Sequence, residues 1–442
     1  MLTKKLEQWL DLATAQLRCG AAVQPVRAEL ETHLQDQYDA YLAQGETCEQ
    51  AERKTLESMG DAILIGGQLD EVHRPRPAWR PFVLGALVRC VSQVQLDECA
   101  WQDILCYEGL RVLLPVGVLA AVSFTDPAAQ MRRAWLVYGG ALALVMGAIL
   151  TTQPVQGTHI SARYLCSFLI LGYAAVLYRQ RGRGMRGLVT AGAALLTAVL
   201  MALCVPAFSV ALSLFLAGLV LSLYCGWSNW FGLGRGKSLG VVLAAAFTPG
   251  VGILLLPGVA TRVMERLNPF FDPTGSGWIS LMRLTIWQGR SPLQPVAQQW
   301  LDRVPENMFQ NMTEQTIFHL LGAEDPLTWS AYAFGRPAAL ALLAGVAFCL
   351  FVLWRAALGT RNASGRLLGV ACVSLLTTQL LVSAAFCGGV MVPFLSDGLW
   401  NGCTQAVLVG TLLSAVRLDP VKGGQLLSAP GEKVGVWKRL LG

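Results

Sequence analysis

The sequence predicts an all-α, polytopic membrane protein with about ten transmembrane helices and a small helical bundle at its N-terminus. Hydrophobic residues make up 54% of the 442 positions, and only 14% are charged, whereas soluble domains carry about 25% charged residues. Long apolar runs recur through the chain, each close to the ~20 residues that a spanning helix needs. Charged residues are dense over residues 1–80 and sparse afterwards, so a soluble domain precedes the membrane domain.

The N-terminal domain is predicted over residues 1–77. Its first residues lead into an amphipathic helix and not into the apolar core of a signal peptide. Pro25 suits the first turn of a helix, and Gly45 and Gly60 suit helix ends. The segment His73-Arg-Pro-Arg-Pro77 ends the fourth helix as a hinge. The predicted helices cover 3–17, 25–44, 47–58 and 61–72.

The membrane domain is predicted over residues 78–417, followed by a tail at 418–442. A tenth run, at 80–96, is weak because it is short and has Arg89 in its middle. The other nine apolar runs lie at about 109–124, 134–151, 161–178, 187–203, 206–226, 238–257, 337–354, 367–387 and 402–416.

Loop charges predict the topology. Arg and Lys residues crowd the loops around 132–133, 179–186, 235–237 and 355–366, and these loops share one side if the runs alternate. Loops on the other side carry few positive charges. By the positive-inside rule, the Arg-rich side is cytoplasmic. Both termini are then cytoplasmic, and the long loop 258–336 lies outside, provided that 80–96 spans the membrane.

The composition argues against several classes of function. The net charge of +6 is explained by cytoplasmic-loop Arg, so nucleic acid is not an expected partner. No metal site is expected, because Glu29, His33 and Asp36 share a helix face without a second His in spacing. His159 and His319 are isolated in polar loops. The 12 Cys include no CxxC pair, and Cys166, Cys204, Cys225, Cys349 and Cys372 are predicted to be small buried hydrophobes within the apolar runs.

The segment 267–278 opens the one long polar stretch that follows the start of the membrane domain. Two Pro and two Gly in Leu-Asn-Pro-Phe-Phe-Asp-Pro-Thr-Gly-Ser-Gly-Trp cannot continue a helix. The segment is therefore predicted to be an ordered, turn-rich loop at a membrane surface. Membrane enzymes often carry catalytic residues in such loops. Backbone outside the hydrocarbon can form hydrogen bonds with water and need not be helical.

The N-terminal domain resembles the permease prefix domain, a small helical module found ahead of bacterial membrane permeases and related proteins. The residues that carry this resemblance are Glu29, His33, Asp36, Gly45, Ala51, Glu52, Met59, Gly60, Asp61, Gly66, His73, Arg74 and Pro75.

The membrane domain resembles the SEDS family of cell-shape, division and sporulation proteins (FtsW, RodA and SpoVE). The layout of ten helices with a long outer loop between the seventh and eighth is that of the family. The segment Pro393-Phe-Leu-Ser-Asp-Gly398 is similar to the family's Pro-Phe-(Leu/Ile)-Ser-Tyr-Gly before the last helix. The pattern at the mouth of the outer loop is matched by Arg262, Asn268, Pro269, Asp272, Pro273, Gly275, Gly277 and Trp278.

The chain departs from that pattern in several places. Asp397 stands where the family has Tyr, and Ser383 stands where it has Asn, four residues after Gln379. The family's Gly-rich stretch after the Asp-Pro motif is replaced by Thr285-Ile-Trp-Gln-Gly-Arg-Ser, and the segment between Gln379 and Pro393 is shorter. These departures indicate a divergent paralogue.

The resemblance implies a peptidoglycan glycosyltransferase that polymerises lipid II, the undecaprenyl-linked disaccharide-pentapeptide. The attacking sugar hydroxyl must lose a proton, so a carboxylate general base is needed at the outer surface. The family has an Asp in the long loop, ahead of Phe-Gly and helix eight. Asp325, ahead of Phe334 and Gly335, matches it one residue short of the usual spacing, and Glu314 is the competing alignment. The alternative for both is a solvated loop carboxylate.

Two further residues are candidates for substrate binding. Arg262 could pair with the lipid pyrophosphate, or could extend to lipid headgroups as an interfacial Arg. Asp272 could contact substrate, but an Asx-type turn with the loop's own backbone is the favoured interpretation. The resemblance implies a class B penicillin-binding protein as partner and no organic cofactor, with a divalent cation as a possible aid.

Two rival functions belong to other classes. One is a non-catalytic membrane scaffold or regulator of cell-wall synthesis, signalling through the prefix domain. The other is a transporter of lipid-linked precursors. The scarcity of charged residues inside most helices argues against a proton-driven carrier.

The topology is tested by labelling Ser276→Cys in intact cells with a membrane-impermeant thiol reagent. Labelling is expected, because residue 276 lies in the loop placed outside by the Arg-rich loops. Protection of this site from the reagent would contradict the assignment.

Overall fold

The structure is a computed structural model, and it describes residues 3–17, 20–73, 109–126, 131–153, 159–205, 208–254, 261, 287, 326–385, 392–396 and 398–418. Within these ranges the chain is almost entirely helical and contains no strand, so the predicted all-α, polytopic class is confirmed. The described residues form two compact units. The first holds the four N-terminal helices with Thr360–Asn362 and the residues from Val416, and the second holds the remaining helices.

The first unit contains the four predicted N-terminal helices. They are α1 Lys4–Ala15, α2 Gly20–Ala43, α3 Cys48–Met59 and α4 Ala62–His73. The prediction for the start of α2 was wrong, because Pro25 lies inside the helix and not in its first turn. The helix extends one turn ahead of Pro25 because Val23 packs against the hydrophobic core. Tertiary packing therefore outweighs the local preference of proline.

A single hydrophobic core holds the first unit together. Trp9 in α1 also donates its indole N–H to the carbonyl of Gly60, 2.8 Å away, at the turn between α3 and α4. Thr47 and Gln50 form a reciprocal capping box at the start of α3, which satisfies two backbone donors that the helix leaves open. The buried core residues are Leu6, Trp9, Leu10, Ala13, Leu17, Val26, Leu30, Leu34, Tyr38, Ala51, Met59, Ala62 and Leu418.

The second unit is a bundle of apolar helices. All nine of the strong apolar runs form helices, while the weak run 80–96 lies outside the described residues, so the count of ten stays a prediction. Seven helical segments of the described chain are long and apolar enough to cross a membrane. The helices are α5 Gly109–Ser123, α6 Ala134–Thr151, α7 Ile160–Leu165, α8 Leu169–Arg179, α9 Gly184–Cys204, α10 Phe208–Trp227, α11 Arg235–Leu254, α12 Pro326–Ala333, α13 Arg336–Gly359, α14 Ala363–Ala385 and α15 Leu399–Arg417.

Helices α7 and α8 form one continuous span, Ile160–Arg179, joined through a 3₁₀ turn at Cys166–Phe168. Helix α14 lies at the centre of the bundle, packed against α10, α13 and α8. In contrast, only 22% of α6 is buried in protein. An apolar helix face that protein does not cover requires lipid around it.

Close approaches and a few polar contacts join the membrane helices. A Cβ added at Gly172 would lie 2.8 Å from the Cα of Tyr138, so α8 and α6 meet nearly backbone to backbone. The Thr378 hydroxyl donates to the carbonyl of Ser213 at 2.9 Å, which ties α14 to α10. Small residues and hydroxyl hydrogen bonds are the usual sources of helix association in lipid.

The prediction that the cysteines in the apolar runs are buried holds for four of the five. Cys166, Cys225, Cys349 and Cys372 are buried, but Cys204 is exposed in the last turn of α9. Burial in protein is not required of an apolar side chain in a membrane span, because acyl chains are equally apolar.

The packing of the first unit is tested at two adjacent glycines of α4. A Cβ at Gly66 would lie 2.4 Å from the carbonyl oxygen of Ala13, whereas a Cβ at Gly67 meets nothing within 4 Å. A peptide of residues 1–77 should give a helical circular dichroism spectrum and a cooperative melt. Gly66→Ala should lower its stability by about 1–3 kcal/mol through overpacking.

Gly67→Ala is the matched control, because it makes the same change in helix propensity without the clash. It should stabilise the peptide or leave it unchanged. Equal effects of the two substitutions would contradict the described packing of α4 on α1, and a random-coil spectrum of the parent peptide would contradict independent folding.

Candidate functional site

The predicted site residues lie in the outer loop, outside the described residues. This holds for Asp325, Glu314, Arg262 and Asp272, and their roles stay predictions. The structure instead describes the elements that flank them in sequence. Two of these elements have well-defined geometry: the helix that begins at Pro326, and the turn over residues 392–396 ahead of the last helix.

Helix α12 begins at Pro326, the residue directly after Asp325. Proline is favoured at the first position of a helix, where its missing N–H costs nothing. The position before the first turn favours Asp, because a carboxylate there can accept backbone N–H groups and meets the positive end of the helix dipole. The local sequence thus suits a helix that begins at Pro326.

Trp287 joins a second part of the outer loop to α12. Its indole N–H donates to the hydroxyl of Thr328, 3.1 Å away, and Thr328 is almost completely buried. Trp287 belongs to the stretch that replaces the Gly-rich segment after the Asp-Pro motif. Trp287, which follows Asp272 in the chain, therefore contacts the first turn of the helix that follows Asp325.

The end of α12 is fixed against the start of α13. The Phe334 N–H donates to the Ser330 carbonyl at 2.9 Å, and the Phe334 ring meets Trp329 edge-on at 5.5 Å. The buried side chains of Ala331 and Ala339 pack together across the two helices. Phe334 is nevertheless 64% exposed, so an aromatic ring projects from this corner.

The turn over 392–396 contains the Pro-Phe-Leu-Ser sequence and is buried throughout. The hydroxyl of Ser396 accepts the N–H of Val392 at 2.7 Å and closes the turn on itself. Phe394 has a φ of +68°, a left-handed conformation that is a genuine outlier for a bulky side chain. Such strain persists only where neighbouring groups hold the backbone in place.

Two amide side chains of α15 hold this turn. Gln405 accepts the Phe394 N–H at 2.7 Å, and Asn401 donates to the Ser396 carbonyl at 2.6 Å. Gln405 also donates to the Asn401 side chain at 2.8 Å, which fixes both amides relative to each other. The sequence analysis missed both residues. Their signal was a pair of large amides four positions apart in an apolar run, which places them on one helix face.

The start of the Ile160–Arg179 span lies beside this turn. A Cβ at Gly398 would come within 3.9 Å of the Tyr164 hydroxyl. The His159 Nδ1 lies 2.8 Å from the Thr152 carbonyl. This contact links the residue that follows α6 to the residue that precedes α7.

Arg163 is a further residue that the sequence analysis missed. It lies within the first turn of the Ile160–Arg179 span, next to Tyr164, and it is partly buried. This end of the bundle is opposite the Arg-rich loops, so the positive-inside rule does not explain it. A charged residue inside a span is a functional-site candidate by default. Its signal was an Arg near the outer end of the apolar run 161–178.

The arrangement offers hydrogen bonds and positive charge, but no metal centre among the described residues. No group of three His, Cys, Asp or Glu side chains comes together in the part of the chain that the structure covers. The described residues provide a buried turn at 392–396, an Arg in the first turn of the Ile160–Arg179 span, and an exposed aromatic ring at Phe334.

The hydrogen bonds from Gln405 and Asn401 to the 392–396 turn, which we call the amide lock, are tested by Gln405→Leu. This change keeps the side-chain volume but leaves the buried Phe394 N–H without its acceptor, which costs about 1–3 kcal/mol. The melting temperature of the full-length protein in detergent should fall by several degrees. Thr404→Val is the control, since the Thr404 hydroxyl bonds only the Trp400 carbonyl of its own helix. Equal melting temperatures for the two variants would contradict the lock.

Comparison with known proteins supports the fold. No protein-family model and no curated protein matches the chain, but solved structures do. One is a chain from a peptidoglycan synthase complex described for its coordination of polymerization and crosslinking, with 18% identity and a TM-score of 0.58, over 77% of this chain and 98% of that chain. Another is the rod shape determining protein RodA of Thermus thermophilus, with 17% identity and a TM-score of 0.50, over 78% of this chain and 97% of that chain.

A mutant of the same Thermus thermophilus RodA matches equally well, with a TM-score of 0.50 and 17% identity over 78% of this chain and 98% of that chain. Nearly the whole length of each solved chain is therefore represented here. The resemblance to the SEDS family predicted a fold of this kind, and the likeness in three dimensions confirms the fold, while the count of ten helices stays a prediction. This chain has the fold of RodA.

Proposed function

We propose that this protein is a peptidoglycan glycosyltransferase that polymerises lipid II at the outer face of the bacterial plasma membrane. The observation that carries the proposal is the fold, which is that of RodA and of a chain from a complex described for polymerization and crosslinking. The geometry at the outer end adds support, because rigid elements lie on both sides of the loop that carries the candidate base.

The chemistry requires a base and an anion-binding group. One sugar hydroxyl attacks the anomeric carbon of a second lipid-linked chain, the proton passes to the base, and the lipid pyrophosphate leaves. Asp325 is the proposed base and Glu314 the alternative. The N-terminus of α12 favours an ionised carboxylate in the position before Pro326, so a group there is ready to accept a proton at neutral pH.

Positive charge stabilises the departing pyrophosphate. Arg163 is the described candidate, since it lies on the side opposite the Arg-rich loops and next to Tyr164, whose hydroxyl approaches Gly398. Arg262, at the mouth of the long loop, is the second candidate. Guanidinium groups bind phosphate oxygens through two parallel hydrogen bonds. In this scheme Asp272 shapes the loop through an Asx-type turn, and a divalent cation can assist at the pyrophosphate.

The proposed assembly includes a class B penicillin-binding protein, which would crosslink the strands that this chain makes. The likeness to a chain of a synthase complex supports a partner of this kind. The Arg-rich loops support the inference that both termini are cytoplasmic. The prefix-like domain would then be available to cytoplasmic factors, and the long loop to the extracytoplasmic partner and substrate.

A scaffold or regulator without catalysis is the second candidate. Its support is the set of departures from the family pattern, above all Asp397 in place of Tyr and the shorter segment before Pro393. The two functions differ in one respect that can be measured, since only the enzyme needs an outer-loop carboxylate to accept a proton.

The proposed base is tested by Asp325→Asn. Asparagine precedes a helix as favourably as aspartate, so the start of α12 and the melting temperature should be unchanged. It cannot accept the proton, and loss of a general base costs about 10²–10⁴-fold in rate. The rate of lipid II polymerisation by the full-length protein should fall by that factor.

Two further variants separate chemistry from structure. Asp325→Ala removes both the proton acceptor and the residue type that is favoured before a helix. It should therefore lower the polymerisation rate and the melting temperature together. Glu314→Gln is the matched carboxylate control and should be mild. Parental polymerisation by Asp325→Asn would exclude Asp325 as the base, and a strong loss in Glu314→Gln alone would transfer the role to Glu314.

A further inference from the structure

Six cations lie together at the end of the bundle opposite the 392–396 turn. Two of them lie in the loop between α8 and α9, the other four lie in the adjoining turns of α8, α9 and α11, and all six are exposed. Neither this loop nor the one between α10 and α11, taken over residues 179–186 and 227–237, contains an Asp or Glu. We call this surface the basic platform; its cations are Arg179, Arg181, Arg183, Arg186, Arg235 and Lys237.

Backbone hydrogen bonds fasten the two loops of the platform to each other. Gly182 and Gly184 donate to the carbonyls of Trp230 and Phe231, each at 3.0 Å. The Trp230 indole donates in return to the Leu177 carbonyl at 3.0 Å. The second loop is closed on itself by the Asn229 side chain, which accepts the Gly234 N–H at 2.8 Å. The platform is thus a single ordered surface built from two loops.

The Arg side chains of the first loop are also held. The guanidinium of Arg181 lies 4.9 Å from the centre of the Trp230 ring, in a cation–π contact. Arg183 donates to the side chain of buried Gln180 at 3.4 Å. These contacts use the flat face of one guanidinium and one N–H of another, so most donors of both Arg residues face away from the protein.

Helix dipoles add to this positive field. Helices α9 and α11 both begin at the platform, at Gly184 and Arg235. The N-terminus of a helix carries about half a positive charge, and acidic residues normally accompany it. Both helices lack an acidic residue in the first turn and carry Arg186 and Lys237 close to their starts. Six cations and two helix N-termini therefore give this surface a positive field that favours a bound anion.

Exposed apolar side chains beside the platform are typical of a surface at the level of the lipid headgroups. Trp227, at the end of α10, is 64% exposed, and Met185 beside the Arg residues is 47% exposed. Exposed Trp at the end of a span marks the interface between hydrocarbon and water. The nearest abundant anion at this depth is the phosphate of a lipid headgroup.

We propose that the basic platform binds the headgroups of anionic glycerophospholipids in the cytoplasmic leaflet. The positive-inside rule accounts for the number of positive charges in these loops, but it requires no defined arrangement. It does not explain why hydrogen bonds join the two loops. Nor does it explain why two helices have basic residues near their N-termini, where acidic residues are normally found. Phosphate oxygens accept from Arg and Lys in this geometry, and the proposal is independent of any activity at the outer face.

The test measures the melting temperature of the full-length protein in neutral detergent during titration with phosphatidylglycerol. The lipid should raise the melting temperature by binding the folded state, and phosphatidylcholine should have little effect. Arg181→Gln/Arg183→Gln should weaken the apparent affinity for phosphatidylglycerol roughly tenfold, since each cation near anionic lipid contributes measurably. Inorganic phosphate at equal concentration should give no shift.

Arg132→Gln/Arg133→Gln is the matched control. It removes two exposed Arg residues just ahead of α6, outside the platform, and should change the affinity less than about threefold. Equal weakening in both double variants would overturn the proposal, because charge alone would then explain binding. Equal stabilisation by phosphatidylcholine, or an undiminished phosphatidylglycerol shift in the platform variant, would also overturn it.

Discussion

A backbone polar group that is buried in protein has no water to bond with, so irregular backbone there must find its partners in the protein itself. This constraint governs the 392–396 turn, where the chain leaves the helical ladder just before the last helix. Gln405 and Asn401 supply the missing partners from α15. These partners hold the backbone in place, which is why a strained Phe394 is tolerated in the turn.

The described membrane domain presents different chemistry at its two ends. At one end, the 392–396 turn is held by two amide side chains, and Arg163 supplies positive charge on the side opposite the Arg-rich loops. At the opposite end, the basic platform carries more positive charges on two loops that are bonded to each other. Both ends favour phosphate. A lipid pyrophosphate is the proposed ligand outside and a phospholipid headgroup is the proposed ligand inside, each recognised by the Arg donors of that end.

The helices were largely predictable from sequence because apolar length determines a span. All nine strong runs form helices, and the bounds of α6 are the predicted ones. The sequence-based predictions were wrong where tertiary contacts determine the structure. Pro25 lies within α2 because packing of Val23 retains the preceding turn, and Cys204 faces outward because lipid can replace protein around it. No local pattern predicts either outcome.

The site was less predictable, since its contacts are formed between segments far apart in the chain. Trp287 bonds Thr328 across 41 positions, and nothing in either segment indicates the other. Gln405, Asn401 and Arg163 did carry a signal, as polar side chains within apolar runs. Their importance follows from position in the bundle, which composition and periodicity do not specify. The prefix-like domain and the carboxylate assignments continue to rest on sequence patterns.

The account depends most directly on whether the parent protein makes glycan strands. The measurement is polymerisation of lipid II by purified full-length protein, with and without its class B penicillin-binding protein, read as the length distribution of the products. Long strands are expected when the partner is present, and blocking the transpeptidase of the partner should not prevent them. Complete absence of strands with a stably folded protein and its partner would contradict catalysis and leave the scaffold function in its place.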